Sequence, residues 1–192
     1  MKIRTLLASV AALSLVVSLA LAAEKEFKAA CPVSNKPAKQ DNFVKFEGAK
    51  VYFCCQGCPK KFKADSAKYS AKAHMQMLQT GQVAQVACPM TGKKLNPNMT
   101  VQVGDQTVMF CCGGCKAKVR KAEDKVATVF STAAFKKGFT HQTLCPVSGK
   151  PINANIMVEH DGRKVYFCCK GCPKKFQANP EKYLDKLPKK EI

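Results

Sequence analysis

Val51-Tyr52-Phe53-Cys54-Cys55-Gln56-Gly57-Cys58 decides the reading of this chain, because it recurs twice. It returns as Val108-Met109-Phe110-Cys111-Cys112-Gly113-Gly114-Cys115 and as Val165-Tyr166-Phe167-Cys168-Cys169-Lys170-Gly171-Cys172, at a constant step of 57 residues. Upstream of each cluster, Cys31-Pro32-Val33-Ser34, Cys88-Pro89-Met90-Thr91 and Cys145-Pro146-Val147-Ser148 keep the same step, so four cysteines fall in each copy and all 12 are accounted for. A fixed internal period means that one structural unit is repeated.

Working outward within a copy, Asn42-Phe43-Val44-Lys45-Phe46 alternates apolar and polar residues. Glu47-Gly48 then reads as a turn and Lys50 to Cys54 as the returning strand, which together predict a β-hairpin. From Gly57 the pattern changes to a helix, with Pro59 suited to its first turn and Phe62 and Tyr69 seven apart on one face. In the third copy Asn179-Pro180-Glu181 reads as the cap of a further short helix carrying Tyr183 and Leu184. The expected mini-core of a unit is Tyr52, Phe53, Phe62 and Tyr69 in the first copy, and Tyr166, Phe167, Phe176 and Tyr183 in the third. The middle copy is degenerate: it has Lys116-Ala117-Lys118-Val119 where the others have Pro-Lys-Lys-Phe, and it lacks the tyrosine.

The N-terminus reads differently. Lys2 and Arg4 precede an apolar run from Leu6 to Leu21, and Ala20-Leu21-Ala22 is a small-x-small cleavage pattern, so residues 1–22 predict a signal peptide and an exported, periplasmic or secreted product. The alternative, a retained anchor, would need a longer apolar run than this one. The division that follows is unit 1 at 27–69, a connector at 70–83, unit 2 at 84–127, a connector at 128–140 and unit 3 at 141–187. Units of this size bury too little apolar surface to fold unaided and need disulfides or a metal.

Each unit reads C-x22-C-C-x2-C. A hairpin brings its ends together, so Cys31, Cys88 and Cys145 can return beside the clusters Cys54/Cys55/Cys58, Cys111/Cys112/Cys115 and Cys168/Cys169/Cys172. Four thiolates suit tetrahedral Zn²⁺, and three suit Cu(I) or another soft cation. The adjacency of Cys54 and Cys55 leaves that choice open, since neighbouring side chains on a regular strand point to opposite faces. Two disulfides per unit, giving a stapled scaffold or interaction protein of the cell envelope, form the competing reading, and C-x-x-C thiol exchange a weaker third.

On these residues the sequence resembles the YHS and TRASH group of small metal-handling domains. Cys31, Cys54 and Cys58, Cys88, Cys111 and Cys115, and Cys145, Cys168 and Cys172 match its pattern of a Cys, about twenty residues, then Cys-x3-Cys. Asp161 to Cys172, Cys172-Pro173-Lys174-Lys175-Phe176 and Asn179 to Leu184 extend the match in the third copy. The resemblance implies a small α+β architecture of treble-clef-like modules, here three in tandem after the signal helix read from residues 1–22. It also implies a link to heavy-metal trafficking, sensing and resistance, often alongside copper-handling proteins; the role expected of this chain is envelope sequestration, delivery or sensing of a thiophilic metal, with an envelope metal transporter or an anionic envelope surface as partner. Where many relatives carry a second cysteine, this chain has Ser34, Thr91 and Ser148, and Cys55, Cys112 and Cys169 stand where relatives have a small polar residue.

The formal charge is +19, or +17 once residues 1–22 are removed. Recurrent Lys-Lys pairs invite a nucleic-acid partner, but export argues against one, and we read the lysines as solvated faces with attraction to anionic envelope surfaces. His74-Met75-Gln76-Met77 has Cu(I)-ligand chemistry but is unrepeated and reads better as an amphipathic connector helix. His141 and His160 read as surface residues. No paired carboxylates, Ser-His-Asp set or phosphate loop is visible, so no enzyme is expected.

Overall fold

The computed structural model describes residues 27–189; the segment read as a signal peptide lies outside them. The chain is a small mixed α/β protein of short hairpins and short helices. Strands β1 (Lys39–Phe46) and β2 (Ala49–Phe53) form the first hairpin, β4 (Asn96–Val103) and β5 (Gln106–Phe110) the second, and β7 (Asn153–His160) and β8 (Arg163–Phe167) the third. Their turns differ in chemistry. Glu47-Gly48 and Asp161-Gly162 both have two positive φ values (45° and 76°, 50° and 72°), the I′ geometry that matches strand twist, whereas the second hairpin turns on Gly104 (φ 62°). In every copy the first strand shifts register before its last four pairs: Lys39 lies opposite Phe53, yet Phe43 lies opposite Tyr52, and the same slip separates Asn96 from Thr100 and Asn153 from Met157. The bend this imposes carries the upstream Cys turn back over the end of the hairpin.

After each cluster comes a helix: α1 (Gly57–Ala64), α3 (Gly113–Lys121) and α6 (Gly171–Ala178). The helical stretch expected to carry both Phe62 and Tyr69 is broken at Asp65, whose carboxylate accepts from the Lys68 N–H (3.1 Å) and caps α2 (Ser66–Gln79). Phe62 and Tyr69 still stack at 6.3 Å across the break. The short helix expected after Asn179 is α7 (Glu181–Leu184).

Residues 70–83 hold most of α2, and residues 128–140 hold much of α4 (Lys125–Phe130) together with α5 (Thr132–Gly138). These helices carry the main core. Ala73 and Met77 of α2, Val129 and Phe130 of α4 and Phe135 of α5 are buried in one cluster with Val51, Phe53 and Phe62 of the first unit and Val103, Val108, Phe110 and Val119 of the second. Two-residue strands β3 (Ala84–Gln85) and β6 (Phe139–Thr140) pair antiparallel and tie the start of unit 2 to the end of α5. Unit 3 stands on its own core of Cys145, Val165, Phe167, Cys172, Phe176 and Leu187.

His74 is fully buried at the centre of the shared core. Its Nδ1 donates to the Phe130 carbonyl (2.7 Å), its Nε2 lies 2.9 Å from the Glu47 carboxylate, and its ring stacks on Phe135 at 4.0 Å. Both ring nitrogens are thereby engaged, so the His-Met-Gln-Met stretch serves packing and not ligation. His160 packs edge-on against Phe176 at 5.2 Å, which makes it more than a surface residue. No described helix is long and apolar enough to cross a membrane.

Candidate metal centre

Three elements build each cluster. The first is a tight turn: Cys31 N–H donates to Lys36 O and Asn35 N–H to Cys31 O, both at 2.8 Å, with Asn35 at φ 59°. Gly92 and Gly149 occupy the same place at φ 71°, so all three copies use a residue that tolerates the left-handed region. The second element is the end of the return strand, which delivers Cys54, Cys111 and Cys168. The third is the first turn of the following helix, which delivers Cys58, Cys115 and Cys172.

The result is three triads, Cys31/Cys54/Cys58, Cys88/Cys111/Cys115 and Cys145/Cys168/Cys172, in each of which all sulfurs lie within 4.8 Å of one another. All twelve cysteines are free thiols. Cys54 and Cys58 are 3.6 Å apart, and Cys111–Cys115 and Cys168–Cys172 3.7 Å apart. The S···S edge of a tetrahedron with metal–sulfur bonds near 2.3 Å is about 3.8 Å, so these donors are spaced for a soft or borderline cation. Of the four cysteines expected in each site, three lie mutually within 4.8 Å, and the fourth, Cys55, Cys112 or Cys169, is exposed. Cys55 and Cys169 nevertheless approach Cys58 and Cys172 at 3.5 Å, while Cys112, in a middle copy whose helix starts one residue earlier, lies nearest Cys111 at 3.7 Å.

Ser34, Thr91 and Ser148, where a further cysteine was noted as missing, place their hydroxyls 3.1, 3.3 and 3.1 Å from Cys54, Cys111 and Cys168. That corner of the site is filled by a hydrogen-bonding group. The thiols are electrostatically unlike. Burial alone would raise Cys31, but the Ser34 hydroxyl and the backbone N–H groups of Cys54, Ser34 and Val33 outweigh it and hold the thiol at about 7; Cys88 and Cys145 behave alike. Burial, and then the neighbouring sulfurs, push Cys58, Cys115 and Cys172 up to about 12. Cys55 and Cys169 are lowered by hydrogen bonds from Cys58 or Cys172 and from the backbone of the helix start, and Cys112 chiefly by the Cys115 backbone N–H.

A glutamine supports each site. In the third copy Gln142 accepts from Tyr166 N–H (2.9 Å) and donates to Tyr166 O (2.6 Å) and Leu144 O (3.1 Å), joining the strand before the cluster to the arm before Cys145. Gln85 does the same in the second copy, between Met109 and Ala87. The first copy has Lys28 at the equivalent position, and Gln76 of α2 supplies the clamp instead, pairing both backbone groups of Tyr52 (2.7 and 2.8 Å) and the Ala30 carbonyl (2.8 Å). Sequence reasoning missed these residues; the recurrence of Gln three positions before Cys88 and Cys145 was the available signal.

Residues 145–186 match the family model of the YHS domain. No curated protein and no solved structure matches the chain.

Proposed function

We propose that this chain is an exported metal-binding protein in which three cysteine clusters each hold one thiophilic ion, Cu(I) or Zn²⁺, for heavy-metal sequestration, trafficking or sensing in the cell envelope. The observation that carries the reading is the threefold recurrence of a convergent thiol triad built from the same turn, strand end and helix start. The match of residues 145–186 to a cysteine-rich domain family supports it for the third unit, and the repeat extends the reading to the first two as treble-clef-like relatives. Three thiolates without a fixed fourth ligand favour Cu(I). Zn²⁺ is favoured where Cys55, Cys112 or Cys169, already within 3.5–3.7 Å of a triad sulfur, closes a tetrahedron. The remaining roles of the protein follow from cargo binding: a metal transporter or anionic envelope surface as partner, and no catalytic step.

The test is native mass spectrometry of the mature protein, with free thiols counted after denaturation in chelator. Three bound ions with most cysteines titrating as thiols support the proposal, and the ion mass separates copper from zinc. A metal-free mass lowered by two hydrogens for every pair of cysteines overturns it in favour of the disulfide-stapled scaffold.

A further inference from the structure

We infer that the exposed fourth thiol of each cluster, Cys55, Cys112 and Cys169, is an exchange port through which the ion passes between the inner triad and an anionic acceptor ligand. The inference rests on the metal-binding reading above and adds a route and a partner chemistry to it.

An exposed fourth thiol beside a triad sulfur recurs in all three copies, next to Cys58 and Cys172 in the outer ones and next to Cys111 in the middle one. Cys31 and Cys58 are buried, as are Cys145 and Cys172; Cys88 is buried in the middle copy, and the remaining triad members are half-buried. The protein therefore covers the triad on most sides. The one further sulfur in reach of each triad is also the one facing solvent. A ligand with one foot on the buried donors and one on the surface lets an ion leave by substitution. A bond to the outer sulfur forms as one to an inner sulfur breaks, a bond to the acceptor then forms as the next inner one breaks, and the last inner bond and finally the outer one break as further acceptor donors bind. The outer thiol releases its proton to solvent as it binds, each vacated sulfur can take one up from solvent, and the ion keeps its oxidation state throughout.

The segment that follows each outer thiol carries charge of one sign. Exposed Lys60, Lys61 and Lys63 follow Cys55; Lys118 and Arg120 follow Cys112; Lys170, Lys174 and Lys175 follow Cys169. No acidic residue lies between position 54 and position 64, or between 168 and 180. A cationic segment raises the local concentration of anionic acceptors and speeds their encounter, and salt screens the effect within about 10 Å at 0.1 M. Acidic metal-accepting proteins and small anionic chelators share this chemistry.

The experiment loads the reduced mature protein with Cu(I) and mixes it with bathocuproine disulfonate, an anionic Cu(I) chelator, following release by absorbance. Wild type is compared with the combined Cys55→Ser, Cys112→Ser and Cys169→Ser variant. The expected result is that the variant still holds three Cu(I) by native mass spectrometry but releases them at least about tenfold more slowly, and that wild-type release slows as salt is added. Equal release rates overturn the port while leaving metal binding intact. Loss of Cu(I) from the variant overturns it in another way, because the outer thiols are then fixed ligands. Salt-independent release overturns the anionic acceptor. Failure of wild type itself to hold Cu(I) is failure of the underlying reading. The substituted positions are exposed, and unchanged far-ultraviolet circular dichroism shows that the variant has folded.

Discussion

Units 1 and 2 and unit 3 carry the same cysteine pattern on two kinds of support. The first two share a core in which α2, α4 and α5 lie between or beside the hairpins, and Phe53, Phe62, Phe110 and Phe130 are all at 2% exposure or less. The core cluster of unit 3 has six buried residues, two of them cysteines of its own metal-site candidate. At about 1.5–3 kcal/mol for each large apolar side chain buried, the shared core supplies far more than the third unit's can. One repeat thus shows two answers to the small-domain problem: fusion with a neighbour, or reliance on whatever binds the thiols.

The comparison breaks most visibly with Phe110→Ala. The cavity costs about 3–5 kcal/mol, and hydrogen exchange of β2 and β5 should rise together while β8 is unaffected. Phe167→Ala should confine its damage to residues 141–187; loss of protection in β5 as well would mean that the cores are not separate. Next in size, Gln76→Leu leaves both backbone groups of Tyr52 without their partner and costs about 3 kcal/mol, measured by urea unfolding, whereas Gln142→Leu should loosen the third unit alone. Gly138→Ala sharpens the picture within the fused body. A Cβ there would stand 2.9 Å from Pro89 Cα and 3.1 Å from Ala87 O, so α5 must move away from the Cys88 turn. The expected cost is about 1–3 kcal/mol, with one metal ion fewer per chain in native mass spectrometry.

The last effect, graded and not all-or-none, is on pH. Cys58, Cys115 and Cys172, pushed up to about 12, keep their protons at neutral pH and release them when a metal binds. Affinity at every site should therefore rise with pH, by about 1.4 kcal/mol per pH unit for each proton displaced. Below about 7, Cys31, Cys88 and Cys145 are protonated too, and the dependence should steepen. Competition titrations against a chelator of known affinity at several pH values check both slopes.

The repeat, the hairpins and the convergence of Cys31, Cys54 and Cys58 were legible because they are carried by local period and spacing. The shared core was not: its links between α2 and α4, such as His74 to the Phe130 carbonyl, join residues 56 positions apart, and nothing in a single repeat announces them. Asp65 was a missed stop. The seven-residue spacing of Phe62 and Tyr69 satisfies one helix as well as two helices whose rings still meet, and only the Asp65 side chain distinguishes them. Spacing was also silent on how Cys54 and Cys55 divide their roles, because that depends on where the strand ends and the helix begins. In the middle copy the boundary moves by one residue, and Cys112 changes neighbour with it.

The glutamine clamps finally set an order of assembly for a chain that emerges N-terminus first. Gln85 and Gln142 precede the strands they grip, so the third clamp can close as soon as its strand appears, while the second also waits for β6, the partner of the strand that carries Gln85. Gln76 comes eighteen residues after Cys58. The first cluster therefore waits, its thiols present but its strand unclamped, until α2 has followed it out.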